Sequence, residues 1–353
     1  MSLIEVTLAN VRCIEQAELA LAQGLSLIWG ENGSGKTSVL EAIFMLGRGR
    51  SFRIRNNARL IRYGKDQLRV SGQVVTADGV TTSLKFEATA GATGAHIGGR
   101  TVESLAELSQ TFPIQVIDPG VHRLVEEGGH RRRRWLDWSV FHVEPLFLDE
   151  WRRYVQALKQ RNAALKTESG DASIWDSELA RLGESIAETR RRVVEQLKPY
   201  WHATVLALSG LDVELHYLRG WNQDLTLQEA LAASRNRDQA HQLTHVGPHR
   251  GDVVLRLHGR PARDVLSRGQ QKLVAAAMNV AQLQLLKAAT ELTPTLLLDD
   301  PAAELDSERL ERLIDQVRQL QCQLVVTSLH AQSRLFGSPE RTFRVGQGRV
   351  QPV

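Results

Sequence analysis

Eight consecutive residues near the N-terminus have the types and spacing needed to bind the phosphates of a nucleotide. They follow the apolar run Leu25–Trp29, fit the pattern GxxxxGK[ST], and are Gly30, Glu31, Asn32, Gly33, Ser34, Gly35, Lys36 and Thr37. The glycines allow backbone amides to approach phosphates, and a following helix N-terminus adds partial positive charge. We expect Lys36 to reach the β- and γ-phosphates and the Thr37 hydroxyl to bind Mg²⁺.

Two adjacent carboxylates close to residue 300 could complete this site. Asp299 and Asp300 follow the apolar run at 295–298, which is typical of a buried strand. Two buried acids need a cation or a shared proton, so a metal site is the natural interpretation. Asp299 would bind Mg²⁺ as the acid of a Walker B strand does, and Asp300 would orient or deprotonate an attacking water.

A second anion-binding sequence stands before a long amphipathic segment. Ser267, Gly269 and Gln270 lie in LSRGQQK, where a serine hydroxyl and glycine amides would cap a helix. The sequence resembles the signature loop of ATP-binding cassette ATPases, in which the signature of one subunit closes over nucleotide held by another. One chain has one copy of each motif, so two complete sites require a homodimer.

The elements that position these motifs indicate an α/β fold interrupted by helices. A predicted strand precedes the glycine-rich phosphate loop and a predicted helix follows it. Two β-rich runs flank Asp78-Gly79 and predict a hairpin. Seven-residue apolar stripes then predict two helices joined at 166–173. We therefore expect a discontinuous P-loop lobe at 1–128 and 241–353, with an antiparallel side sheet, and an inserted helical lobe at 129–240.

The composition is that of a globular protein whose basic residues are mainly arginine. The 353 residues carry 44 Lys and Arg against 40 Asp and Glu, and 36 of the basic residues are Arg. Arginine binds phosphate bidentately, which suits nucleic acid or nucleotide, although an arginine-rich proteome gives the same count. No apolar run is long enough to cross a membrane, so we expect a cytoplasmic protein with no membrane partner. We expect Cys13 and Cys322 to be reduced core residues.

The densest basic runs lie at 131–134 and 190–192, each on a predicted helix. Such runs form a solvated face in many proteins, and they can also bind DNA phosphates without reading sequence. On the second interpretation the DNA contacts are Arg131, Arg132, Arg133, Arg190 and Arg191.

Five segments together resemble the RecF family of bacterial recombination-repair proteins. They read RRWLD from Arg133, QRNAALK from Gln160, THVGPHRGD from Thr244, SRGQQK from Ser267 and LDDPAAELD from Leu298. The resemblance implies a fold like the heads of Rad50 and the structural-maintenance-of-chromosomes proteins, that is, an ATP-binding cassette lobe with an inserted, mainly helical lobe. It also implies a slow, DNA-dependent ATPase that binds ATP and Mg²⁺ and dimerises on DNA with ATP. In that family the protein works with RecR and RecO to load RecA at single-strand gaps and contributes to SOS induction.

The comparison with cassette ATPases also identifies weaker site candidates. Asp306 matches the D-loop that crosses the dimer interface, and Gln115 is a poor match to the Q-loop glutamine. Ser328 stands where transport cassettes have a switch histidine, and His330 follows two residues later. Either His330 substitutes from a shifted turn, or γ-phosphate sensing is weak; we favour the second, which agrees with slow hydrolysis.

Other classes fit the sequence less well. A transporter motor subunit shares the three motifs, but Lys36 and Ser267 lie 231 positions apart, which leaves room for a helical lobe that such subunits lack. A GTP-dependent switch would need an NKxD or TKxD motif, and none occurs. His241, His245 and His249 have fourfold spacing, but Gly247-Pro248 removes the last from a shared helix, which argues against zinc.

Overall fold

The computed structural model describes residues 1–76, 78–167, 171–290, 292–303, 305–331 and 337–353. Backbone contacts divide the chain into two compact units: unit 1 comprises Met1–Val121 and Glu291–Val353, and unit 2 comprises His122–Thr290. The boundaries expected from the sequence placed residues 241–290 with the P-loop lobe. In the contact-based division they belong to unit 2, because the helix that follows the signature packs against the longest helix of that unit. The functional domain boundaries stay a prediction.

The chain forms fifteen strands and ten helices in its described residues. The strands are β1 (Ser2–Val11), β2 (Ile14–Ala20), β3 (Leu25–Trp29), β4 (Gln67–Val75), β5 (Thr81–Thr89), β6 (Thr93–Ile97), β7 (Arg100–Thr101), β8 (Ile114–Ile117), β9 (Glu214–Leu218), β10 (Asp252–Leu257), β11 (Arg260–Pro261), β12 (Thr295–Leu298), β13 (Gln323–Ser328), β14 (Arg341–Gly346) and β15 (Arg349–Pro352). The helices are α1 (Lys36–Arg48), α2 (Leu105–Thr111), α3 (Arg123–Glu126), α4 (Gly129–Val143), α5 (Phe147–Ala164), α6 (Asp176–Ser209), α7 (Leu227–His241), α8 (Ala262–Val265), α9 (Arg268–Ala289) and α10 (Ser307–Gln319).

Unit 1 contains two six-stranded sheets. One is antiparallel, in the order β2-β1-β4-β5-β6-β7, and the hairpin of β4 and β5 around Asp78-Gly79 confirms the predicted side sheet. The other has the order β15-β14-β3-β13-β12-β8. In that sheet β14, β3, β13, β12 and β8 run parallel, and only β15 is antiparallel. Parallel strands end at one edge, so the residues after β3, β12 and β13 lie near one another.

Helix α1 is buried on nearly every side in unit 1. Its apolar residues Val39, Leu40 and Ile43 join one core cluster with residues of both sheets, such as Leu8 and Val325. The polar residues Lys36, Ser38 and Glu41 of this helix are buried as well. The burial of α1 therefore fixes its N-terminus against the carboxyl ends of the parallel strands.

Unit 2 is mainly helical, with a small sheet in the order β11-β10-β9. Helices α5 and α6 pack against each other, as the apolar stripes predicted, and α6 also packs against α7 and α9. Of the predicted connection at 166–173, residues 168–170 lie outside the described part of the chain. Among the helices in the described ranges, none combines the length and apolar character that crossing a bilayer requires.

The two cysteines differ from expectation in their burial. Both are free, but Cys13 is exposed and Cys322 is only partly buried, so the prediction of two core residues is wrong for Cys13. Cys13 lies in the turn between β1 and β2, and its Sγ is 3.8 Å from the carbonyl oxygen of Ser34. The sequence around Cys13 is typical of a strand, so the turn between β1 and β2 was not expected there.

Candidate nucleotide-binding site

The phosphate loop connects β3 to α1 in a conformation that requires glycine. Gly30, Gly33 and Gly35 have φ angles of 156°, 78° and 117°, a region that L-residues rarely adopt. A Cβ on Gly30 would lie 2.1 Å from the carbonyl oxygen of Val345, and one on Gly35 would lie 2.9 Å from Cys13 Sγ. Gly35 is the N-cap of α1, so the loop amides and the helix N-terminus meet at one place.

Two hydrogen bonds from neighbouring strands hold this loop in position. The amide of Gly30 donates to the carbonyl oxygen of Ser328 at 3.2 Å, and the amide of Gly348 donates to that of Ser34 at 3.1 Å. Gly348 lies in the turn between β14 and β15. The C-terminal hairpin is thus part of the support of the phosphate loop.

Lys36 extends over the loop rather than into solvent. It is 6% exposed, and its Nζ donates to the carbonyl oxygens of Gly30 at 2.6 Å and Glu31 at 3.0 Å. Burial lowers the pKa of the Lys36 ammonium, while the carboxylates of Asp300 and Asp299 act to raise it. Both predicted acids are therefore within electrostatic reach of the predicted phosphate-binding lysine.

Thr37 and Asp299, which are 262 positions apart in sequence, are in direct contact. The Thr37 hydroxyl is 3.0 and 3.1 Å from the two carboxylate oxygens of Asp299, at the end of β12. Asp299 is 6% exposed, and burial raises the pKa of its carboxyl group. Three neighbours act to lower that pKa: the hydroxyls of Thr327 and Thr37, and the charge of Arg53. The structure thus brings together the two residues predicted to bind Mg²⁺.

Thr327 is a site residue that the sequence interpretation missed. Its Oγ1 donates to Asp299 Oδ1 at 2.9 Å and accepts from the Asp300 amide at 2.8 Å. Asp300 itself has a φ of 47°, the left-handed region, which turns the chain sharply after β12. The parallel pairing of Leu298 with Val326 is what places Thr327 beside Asp299.

The residues present fit a nucleotide with Mg²⁺. Ser34 Oγ, in the phosphate loop, is buried and forms no hydrogen bond within the described ranges. It is therefore available to hydrogen-bond a bound ligand. Hydroxyl and carboxylate oxygens are the ligands that Mg²⁺ prefers, and Mg²⁺ takes further ligands from phosphates and water. Over those same ranges no group of three or more His, Cys, Asp or Glu side chains is placed to hold a metal ion.

The signature residues lie at the start of α9 in unit 2. Ser267 Oγ accepts from the Gln270 amide at 3.3 Å, and Gln270 Oε1 accepts from the Ser267 amide at 2.9 Å. This capping box leaves Ser267 exposed, with Gly269 in the first turn. The predicted helix N-terminus with a serine cap is therefore present.

The remaining candidates have local roles that the structure defines. Asp306 caps α10 by accepting from the Arg309 amide at 3.0 Å, and Glu304, the first residue of its motif, lies outside the described residues. Gln115 is buried in β8. Ser328 ends β13, and its Oγ accepts from the His330 amide at 3.3 Å.

Two of the five predicted DNA-binding arginines are buried within unit 2. Arg190 is 0% exposed, and its guanidinium pairs with Asp137 at 2.7 Å and lies 5.0 Å from the centre of the Trp151 ring. Arg132 is 8% exposed and pairs with Asp252 at 2.8 Å. Their burial argues against DNA contact by this pair, because a guanidinium enclosed with a carboxylate partner does not reach a phosphate outside the fold.

The other three predicted arginines are partly or fully exposed but have partners. Arg191 pairs with Glu188 at 2.7 Å, and Arg131 pairs with Glu127. Arg133 donates to the carbonyl oxygen of Gly251 at 2.6 Å, and burial lowers its pKa. DNA contact by these three arginines stays a prediction, and their partners are surface carboxylates or a backbone carbonyl of unit 2.

Of the three histidines considered as zinc ligands, two form hydrogen bonds with other side chains. His245 Nδ1 is 2.9 Å from Asp238 Oδ1, and His249 Nδ1 is 2.7 Å from the Tyr154 hydroxyl. Burial lowers the pKa of His249 to about 4 and raises that of Tyr154 beyond its ordinary range. His249 is therefore neutral at pH 7.

Comparison with known proteins agrees with this fold. The family model described as the RecF/RecN/SMC N terminal domain matches residues 2–349. A DNA replication and repair protein RecF from Vibrio parahaemolyticus is 38% identical over 357 residues, which cover 99% of each chain. A structure of the recombination mediator protein RecF-ATP in the RecFOR pathway is 28% identical, covers 99% of this chain and 97% of its own, and has a TM-score of 0.89.

A more distant structure shows the fold alone. The Smc head bound to the C-terminal winged-helix domain of ScpA is 15% identical with a TM-score of 0.63, and the match covers 100% of this chain and 97% of that one. The predicted fold class, an ATP-binding cassette lobe like the heads of structural-maintenance-of-chromosomes proteins, is confirmed. From the family model and the full-length identity, the chain belongs to the RecF family.

Proposed function

We propose that the chain is an ATP-gated, DNA-binding repair protein that dimerises on DNA when it binds ATP. The observation that carries the proposal is the contact of Thr37 with the buried Asp299 at 3.0 Å, beside the phosphate loop and Lys36. The chain would hold ATP through the amides of 30–35 and Lys36, and Mg²⁺ through Thr37 and Asp299. The bound metal supplies charge stabilisation for the phosphates.

Dimerisation follows from the number of motifs in the chain. There is one phosphate loop and one signature, and Ser267 presents its exposed helix N-terminus as an anion site. In the dimer, Ser267, Gly269 and Gln270 of one copy and Asp306 would close over nucleotide bound by the other copy. ATP then contributes to both halves of the interface, which makes association depend on nucleotide.

Hydrolysis would be slow and serve as a switch. Asp300 has a shorter side chain than the glutamate usual at this position, and Ser328 replaces the switch histidine. Asp300 would orient a water at the γ-phosphate, and the action of its charge on Lys36 supports this role. The chain would remain ATP-bound and clamped for longer than a rapid hydrolase does.

The names of the related structures support a role in one repair pathway. Those structures are named for a recombination mediator in the RecFOR pathway. We propose that this chain works in the cytoplasm with RecR and RecO at single-strand gaps and stalled forks, helps to load RecA, and contributes to SOS induction. Its DNA binding would be independent of sequence, because the chemistry invoked is phosphate contact.

Sedimentation with and without ATP tests the dimer. The wild-type chain is expected to dimerise with ATP, Lys36→Arg to dimerise weakly, and Ser267→Arg to remain a monomer that still binds ATP. Thr226→Arg is the matched control, because Thr226 also caps a helix of unit 2 through a capping box. An ATP-dependent dimer of Ser267→Arg, or a monomeric wild type, would contradict the proposal.

A further inference from the structure

The segment that joins α1 to β4 is the most basic part of unit 1. From Arg48 to Lys65 it contains seven basic residues and no acidic one. The arginines are separated by one to three other residues, so a search for contiguous runs overlooks them. We call residues 48–65 the basic loop.

The basic loop has a fixed shape although it contains only one turn of 3-10 helix, Asn57–Leu60. Asn57 Nδ2 donates to the carbonyl oxygen of Gly49 at 3.1 Å, which closes its first half. The Arg12 amide donates to the carbonyl oxygen of Leu60 at 2.7 Å, and the Arg62 amide to that of Asn10 at 2.9 Å. These bonds attach the second half to the turn after β1, so its backbone has a defined position.

Two arginines of this loop have the free guanidinium groups that the helical runs lack. Arg55 and Arg59 are exposed, and in the described ranges neither side chain forms an ion pair or a hydrogen bond. Arg62 and Lys65 are 3.7 Å from Glu15, and that single carboxylate is 65% exposed. Arginines without internal partners retain their full capacity to bind phosphate.

A fully exposed aromatic ring lies in the same loop. Tyr63 is 102% exposed, between Arg62 and Gly64. Full exposure of a large ring gains nothing for the fold, since burial of aromatic surface is what stabilises. Aromatic rings beside basic groups are where unpaired bases stack in single-strand-binding proteins.

We propose that the basic loop is a contact surface for single-stranded DNA, with phosphates bound by Arg55 and Arg59 and a base stacked on Tyr63. This inference rests on the proposed function and places its DNA contacts in unit 1 instead of on the arginine runs of unit 2. Arg53 is not part of the surface, because its charge acts on Asp299 in the nucleotide site.

The test measures binding of a labelled gapped duplex by fluorescence anisotropy at several salt concentrations with ATP. Arg55→Gln with Arg59→Gln is expected to reduce the slope of log affinity against log salt by about 1.4, or about 0.7 for each single-strand phosphate contact. Arg153→Gln with Arg181→Gln is the matched control, because both side chains pair with Glu178 on the surface of unit 2. The control is expected to keep the wild-type slope.

A second pair of variants isolates the base contact. Tyr63→Ala is expected to weaken binding of gapped or single-stranded DNA by about tenfold or more and to leave fully duplex DNA unaffected, while Tyr63→Trp restores binding. ATP binding by each variant, followed with a fluorescent analogue, should equal that of wild type.

The outcomes separate this inference from the proposed function. If wild type binds DNA in no nucleotide state, the proposed function fails. If wild type binds and the double arginine variant keeps both the slope and affinity of the control, only the inference is overturned. An equal loss of duplex and single-strand binding in Tyr63→Ala would also overturn the base contact.

Discussion

Thr327→Val should weaken binding of Mg²⁺ with ATP, because it removes the two hydrogen bonds that hold the paired acids. Thr327 is 0% exposed, and valine has nearly its shape without the hydroxyl. The Asp300 amide loses its acceptor at 2.8 Å, and Asp299 loses a donor at 2.9 Å. Asp299 then keeps only the Thr37 hydroxyl and is free to rotate.

The size of the effect follows from these two losses. A buried amide left without a partner costs about 1–3 kcal/mol, and a hydrogen bond to a charged group contributes about 1.5–3 kcal/mol. We therefore expect the free energy of unfolding to fall by about 2.5–6 kcal/mol. Loss of a group that orients a metal ligand lowers metal affinity by about 10–100-fold.

Thr295→Val is the matched control on the neighbouring strand. Thr295 is also 0% exposed, and its hydroxyl donates to Gln323 Oε1 at 2.8 Å. That oxygen still accepts from the Leu3 amide at 2.8 Å, so the control should cost only about 1 kcal/mol.

The assay is a titration of Mg²⁺ against a fluorescent ATP analogue, with urea unfolding in parallel. Thr327→Val should raise the Mg²⁺ concentration for half-maximal binding by about 10–100-fold, and Thr295→Val should leave it unchanged. Wild-type Mg²⁺ dependence in Thr327→Val, or an equal change in both variants, would refute the argument that Thr327 positions Asp299.

Three further variants test other parts of the structure. Asp300→Asn should give an ATP-locked dimer without turnover, and wild-type hydrolysis by it would refute the role of Asp300. Burial lowers the pKa of His249 from 6.5 to about 4. As the pH falls below about 6.5, this histidine therefore becomes protonated in the unfolded chain but not in the folded chain. The unfolding free energy of wild type should therefore fall by up to about 3 kcal/mol more than that of His249→Gln between pH 7 and pH 4. The same pH dependence of unfolding free energy in both proteins would contradict this. Arg161→Met removes the buried guanidinium between Asp176 and Asp238, which keep only the more exposed Arg235 and His245 as side-chain partners of this kind, and should cost about 3–5 kcal/mol in urea unfolding. The exposed Arg153→Met should cost at most about 1 kcal/mol, and similar losses in the two variants would contradict the buried network.

The sequence predicts the local parts of the site well. The phosphate loop depends on the backbone freedom of three glycines and on one strand and one helix next to it, so eight consecutive residues suffice to identify it. Asp299 and Ser267 could also be found, because each stands at the end of an apolar run or the start of a helix. The packed pair of helices α5 and α6 follows from the apolar periodicity of their sequences.

Features that depend on pairing between distant segments could not be predicted in this way. Thr327 contacts Asp299 only because β12 and β13 pair in one parallel register. Arg132 and Arg190 look like a basic surface until Asp252 and Asp137, 120 and 53 positions away, are placed against them. Charge runs in a sequence do not reveal which charges are neutralised inside the fold.

The central claim is that ATP gates DNA binding, and one measurement tests it most directly. The affinity of the wild-type chain for a gapped duplex should be measured with and without ATP at several salt concentrations, with the oligomeric state followed by sedimentation in the same buffers. We predict tighter binding with ATP, together with dimer formation. Equal affinity with and without ATP, at every salt concentration, would contradict the account.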